Sequence, residues 1–362
     1  MQIAAFCVSA VGGGTMFWRW WRMEEEHRPR VWVLYGWFSR LMCVGSVFGA
    51  VTWAFWMQFL VALFTYTTPG LSLAQAYSVF GQAQYWSAAF HVTYAIEFLC
   101  LSVAKLLVLH RMADFGVPKD DGLSRRLAVG GRVVLAAVVV GNVAGLCGNV
   151  AAAVLTKQAG DLFDAAAAAL AANSTQAAKA ILVQAFQKNT VANDVTSVQQ
   201  FCEVAVLLLI IVAFAVVGAA CARRLSTEQQ HHDTMVDTAD AAAAAPAWRK
   251  LRRQILGTAA FVFVTFLLRA VFSTMNALSR ALLIQVNTCS NRCDPACNNV
   301  WLVIKLWLVL TPEFQLIVVL ISSPLALLVA LWGMTDKRTL QLMRSGRGQM
   351  VEMRSNEVEA AK

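Results

Sequence analysis

The sequence predicts an all-α, polytopic transmembrane helix bundle of seven spans, and three observations carry that prediction. Apolar stretches of membrane-crossing length recur along the chain, charge is scarce, and the basic residues fall on alternate connections. Only 14% of residues are charged and 58% are hydrophobic, whereas a soluble domain carries about 25% charged residues. A bilayer's hydrocarbon core, ~30 Å thick, requires about 20 consecutive apolar residues of a spanning helix.

The first segment, 1–18, reads "MQIAAFCVSAVGGGTMFW". It is apolar, but Gly12, Gly13 and Gly14 stand in succession, and glycine weakens a helix interior. A signal peptide fits less well, because the start lacks basic residues and a cut after Ala10 falls short of a leader of ~15–30 residues. Six longer segments follow at 31–64, 84–110, 127–155, 201–222, 255–283 and 300–333. Several exceed the minimum length, so tilt or extension beyond the bilayer is expected. The tail, 334–362, begins with "DKRTLQLMRSG", which fits a short helix lying on the inner leaflet, and continues as a partly disordered segment.

Basic residues set the orientation. Arg19, Arg22, Arg28 and Arg30 precede the second segment, and Arg111, Lys119, Arg125 and Arg126 separate the third from the fourth. The connection before the sixth holds Arg249, Lys250, Arg252 and Arg253, and the tail holds Lys337, Arg338, Arg344 and Arg347. These connections read as cytoplasmic, which places the amino terminus outside. The net charge of +9 then faces anionic lipid and requires no nucleic acid.

The connection 156–200 falls on the outer side and is alanine-rich, which favours a helical cap over the bundle. It carries the sequon Asn173-Ser174-Thr175, a glycosylation acceptor. Cys289, Cys293 and Cys297 share the same oxidising side, and Cys202, at the outer end of its segment, makes a fourth disulfide candidate. The pairing is not legible from spacing. No metal site is predicted.

Charges inside the segments are the candidate functional residues. Glu97 and Arg269 stand at the centres of 84–110 and 255–283, and Glu313 lies near the centre of 300–333. A cation facing lipid there costs at least ~2.5 kcal/mol, so Arg269 is expected to turn inward and meet a carboxylate. Glu313, on the next segment, is the expected partner, with Glu97 as a third member. Such a pair either fixes helix register or takes part in a conformational switch. Pro312 and Pro324 mark the last segment as a hinge, since each removes a helical hydrogen bond. Arg40 and Lys105 lie toward the cytoplasmic side and are expected to snorkel to the headgroups. His91 and His110 are expected to be packing residues.

The stretch "WRKLRRQILGTAAFVFVTFLLRAVF", together with "WRMEEEHRPRVWVLYGWFSR" and "YAIEFLCL", resembles the plant tobamovirus-multiplication protein family of seven-span, receptor-like membrane proteins. The resemblance implies a plasma-membrane or endomembrane (vacuolar or endosomal) protein that binds a cytoplasmic protein partner, with no catalytic residues and no cofactor. Rhodopsin-class receptors are less similar, because His110-Arg111 stands where an acidic-arginine pair is expected. Microbial rhodopsins need a deep retinal lysine, and Lys305 is too near its segment's end. Two functions are therefore expected of different kinds. One is a receptor-like or partner-docking protein, with an outer-side ligand. The alternative is a transporter or channel working through Glu97, Arg269 and Glu313.

Overall fold

The computed structural model describes residues 2–22, 30–116, 122–235 and 263–279, together with positions 253, 256, 257, 260, 261, 303, 304 and 307. Pro312, Glu313, Pro324, Cys289, Cys293, Cys297, most of the segment 300–333 and the tail lie outside the described residues. The described elements are all helices: α1 (Gln2–Trp21), α2 (Arg30–Tyr66), α3 (Leu73–Gly116), α4 (Gly122–Ala171) and α5 (Thr175–Met235). The apolar helix Phe263–Ser279 is α6. Among the described residues, four helices are long and apolar enough to cross a membrane, within Gly36–Tyr66, Leu73–His110, Val129–Ala171 and Thr175–Ala220. Two shorter apolar helices, Phe6–Trp18 and Phe263–Ser279, accompany them. The protein is a membrane-embedded helical bundle.

Sequence neighbours pack as antiparallel pairs, and side-chain contacts fix each register. Phe6 packs on Gly49 across α1 and α2. Tyr66 meets Phe80, with ring centroids 5.2 Å apart, across α2 and α3. Tyr77 stacks on Phe163 at 6.2 Å across α3 and α4. Gly141 abuts Val206, and a Cβ on Gly148 would stand 2.9 Å from Gln199 Cβ, across α4 and α5. The reversal between α4 and α5 is a Schellman turn: Asn173 takes φ 58°, while Ser174 N donates to Ala169 O and Asn173 N to Leu170 O. The connection between α2 and α3 ends in a capping box, in which Ser72 N donates to Gln75 Oε1 and Gln75 N to Ser72 Oγ.

The three glycines of α1 do not break it. A Cβ on Gly13 would sit 3.0 Å from the Cys43 nitrogen and 3.2 Å from the Ser39 carbonyl oxygen. The residue therefore admits backbone-to-backbone contact with α2. In a bilayer, where burial of apolar surface gives helices little drive to associate, such close packing is what holds them together.

The connection 156–200 differs from the expected cap. Thr156–Ala171 continues α4 and Thr175–Gln200 belongs to α5, so both spans run straight out as a helical hairpin. At 1.5 Å per residue, the 50 residues of α4 reach about 75 Å and the 61 of α5 about 90 Å. Both lengths are more than twice the ~30 Å of hydrocarbon. Alanine-rich composition makes this continuation favourable. A small core of Ala159, Phe163 and Ala185, flanked by Tyr77, Phe80, Leu162 and Leu182, packs the projecting end. The larger core lies in the bundle proper, where α2 to α6 contribute Phe38, Met42, Leu101, Val138, Leu207, Phe214 and Phe266.

Candidate functional site

Three helices bring ionisable side chains together inside the bundle. From α3, the Tyr94 hydroxyl donates to Glu203 Oε1 of α5 at 2.6 Å. From α6, Arg269 Nη2 donates to the Tyr94 oxygen at 3.1 Å. The same guanidinium nitrogen stands 3.8 Å from Glu203 Oε1, and the two side chains are only 8% and 2% exposed. Tyr94 is thus a hydrogen-bonded bridge inserted between a cation and an anion. At an effective dielectric of about 20, two charges at this separation attract with about 4 kcal/mol, an amount comparable with the several kcal/mol of desolvation each ion pays. Added hydrogen bonds therefore decide whether the pair is favourable, and Tyr94 supplies two.

Packing fixes the bridge in place. The Tyr94 ring stacks between Phe90, at 5.6 Å, and Phe98, at 6.3 Å, one turn either side on α3. Phe90 in turn meets Trp56 of α2 at 5.2 Å. Glu97, 3% exposed, lies within electrostatic range of Arg269, Glu203 and Lys105. Lys105 is buried rather than snorkelling outward: its ammonium sits 4.7 Å from the centroid of Phe266, one turn from Arg269 along α6. Burying that cation against an aromatic face recovers part of its desolvation cost. Two carboxylates and two cations thus share one interior.

Glu203 is the member that sequence reasoning missed. The apolar run begins at Phe201, after the polar stretch "NDVTSVQQ", so Glu203 looked like a residue at the rim of its span. The α4–α5 register shows otherwise, because Gly141 faces Val206 and Gly148 faces Gln199. Glu203 therefore falls level with Ala144, near the middle of the α4 apolar segment. The polar stretch is helical and its inner side is buried, with Thr196, Ser197 and Gln199 each at most 5% exposed. One signal was available: Thr196, Gln199 and Glu203 recur at intervals of three and four, which aligns them on one helix face.

The remaining predicted residues are spread over the molecule. The pairing expected between Arg269 and Glu313 involves a residue outside the described set; within it, the carboxylate at Arg269 belongs to Glu203. Arg40 is exposed, and its guanidinium stands 5.6 Å from the Trp37 centroid. Asn173 is exposed at the hairpin tip. Cys202 is a free thiol, and the α4–α5 register puts it level with Gly145, inside the span rather than at its outer end. His91 is buried, edge-on to Phe90. Among the described residues, no three His, Cys, Asp or Glu side chains converge as a metal site.

A second polar cluster lies on the projecting end. The Tyr85 hydroxyl is 2.9 Å from Asp161 Oδ1 and 3.1 Å from Asp164 Oδ2, and Lys157 Nζ bonds Asp161 at 2.9 Å. Lys157 and Asp161 are 63% and 49% exposed, so water screens their pair. These contacts tie α3 to α4 where the two helices project. No known protein-family model, no curated protein and no solved structure matches this chain.

Proposed function

We propose that this chain is a receptor-like membrane protein in which Arg269, Tyr94 and Glu203 form a latch between helices, with a cytoplasmic protein partner docking at the basic end. The observation that carries this reading is the single guanidinium of α6 held by groups from both α3 and α5, deep inside the bundle. Ionisable groups at that depth are costly and mark functional sites by default. The helices involved favour signalling over transport, because α3 and α5 run unbroken from the projecting end to the basic end, whereas transport sites are commonly built on interrupted helices. A displacement at one end is carried along such rods to the other, and the latch is the element with two arrangements. The resemblance to tobamovirus-multiplication proteins is in keeping with this reading, as is the wealth of arginine and lysine in the cytoplasmic connections.

The test uses the double variant Arg269→Met, Glu203→Met, which removes both charges while keeping the volume apolar. Proximity labelling from a tag after Lys362 is expected to give a different set of cytosolic neighbours in the folded variant than in the wild type. An unchanged set would rule out the latch. Transport or channel activity is the second reading, favoured by the charge balance of Glu97, Lys105, Glu203 and Arg269. Loss of ion or solute flux into vesicles in the same variant would decide for it.

The topology belonging to this proposal has seven spans, an outer amino terminus and a cytosolic tail. A tag after Lys362 is therefore expected to be digested by cytosolic protease, and Asn173 to carry glycan. Protection of the tail would invert the orientation. A bridge among Cys289, Cys293 and Cys297 is proposed for the outer side, and three free thiols by non-reducing mass spectrometry would remove it.

A further inference from the structure

We infer that the basic ends of α1 and α2 form a binding surface for anionic phospholipid, built from two guanidinium–indole pairs. The Arg22 guanidinium stands 3.8 Å from the centroid of Trp18, and that of Arg40 stands 5.6 Å from Trp37. Trp18 and Trp37 are 54% and 55% exposed, and Trp21, beside Arg22, is 65% exposed. Large indoles left this bare on a bundle that buries Phe6, Phe38 and Met42 on the same two helices are not part of the protein core. The contacts that set the register of α1 on α2, Phe6 on Gly49 and Gly13 against Cys43, carry Trp18 level with Trp37. The two indoles therefore stand at one depth, toward the basic end of both helices.

Indole rings prefer the headgroup layer, where an apolar body and a polar N–H are both accommodated. A guanidinium held over such a ring keeps its donors free along its edge, in the fork that suits a phosphate. Its charge also matches phosphodiester headgroups and not neutral ones. The occupant is accordingly an anionic phospholipid of the leaflet at the basic end, with the phosphate against the arginine and the glycerol and upper acyl carbons against the indole. Each basic residue at a membrane surface contributes about 1 kcal/mol toward anionic lipid, equivalent to about fivefold in affinity.

The surface is tested on the full chain purified in detergent, titrated with dioleoyl phosphatidylglycerol or dioleoyl phosphatidylcholine and read by native mass spectrometry. Wild-type protein is expected to bind phosphatidylglycerol more tightly than phosphatidylcholine. Arg22→Gln and Arg40→Gln are each expected to weaken the phosphatidylglycerol affinity by about fivefold, leaving phosphatidylcholine unchanged. Both side chains are exposed, so the variants are expected to elute as the wild type on gel filtration. Trp18→Leu, which keeps the charge, is expected to weaken both lipids together. Equal wild-type affinity for the two lipids overturns the inference and needs no variant. Undiminished phosphatidylglycerol binding by the doubly substituted Arg22→Gln, Arg40→Gln protein overturns it as well.

Discussion

Arg269→Ala is expected to destabilise the bundle by about 3–5 kcal/mol, the range seen when one member of a buried ion pair is removed. The loss follows from what stays behind: the Glu203 carboxylate, with a side chain 2% exposed, loses the guanidinium it faces, and the Tyr94 oxygen loses its donor. A membrane setting moves the value toward the lower end, because polar groups in the unfolded reference state find other partners within the bilayer. Thermal unfolding in detergent measures the effect. The companion variant Arg269→Met, Glu203→Met removes both charges and is expected to regain most of the stability, as apolar replacements of buried pairs do. If Arg269→Ala melts with the wild type, the bridge contributes no stability and the latch loses its physical basis.

Phe163→Ala is the second large effect, about 3–5 kcal/mol, the usual cost of truncating a buried phenylalanine. Phe163 is fully buried, stacked on Tyr77 and met edge-on by Phe80 at 4.8 Å and Phe186 at 5.2 Å. Three helices of the projecting end therefore converge on one ring. Lys157, Asp161, Lys179 and Lys188 punctuate this end; in the proposed topology water surrounds it, and the hydrophobic effect acts there in full. Hydrogen exchange is expected to accelerate in 73–84 and 156–190 while the membrane segments stay protected. Phe214→Ala, against Phe266 in the bundle core, is expected to cost less, since lipid tails offer an apolar alternative to protein packing. Equal losses at the two sites, or unchanged exchange at the projecting end, would refute the division of the molecule into a wet end and a lipid-embedded one.

Much of the architecture was legible in the sequence because the bilayer imposes a length on every span. The runs at 31–64, 84–110 and 127–155 could be read without knowing any contact, since about 20 apolar residues have few other uses. The ends were less legible. Hydropathy reports where lipid stops, and nothing in it marks where a helix stops, so α4 and α5 continue through 156–200 as one hairpin where a separate cap was expected. The glycines of α1 misled in the opposite direction, because propensity scales describe a helix in water and Gly13 is chosen for its contact with α2.

The inward turn of Arg269 was determined by the sequence alone, since a permanent cation at the middle of an apolar segment has no other tolerable environment. Which carboxylate it meets was decided only by the tertiary structure. Glu203 reaches it because the register of α5 on α4 draws a polar stretch down into the bundle, and Tyr94 because α3 packs against α5 and meets α6 at Arg269. Depth along one helix is a local property, set by the distance to the nearest change in hydropathy. A partner across helices depends on the rotation and sliding of each helix, and those are set by small contacts such as Gly141 against Val206, which no single segment encodes.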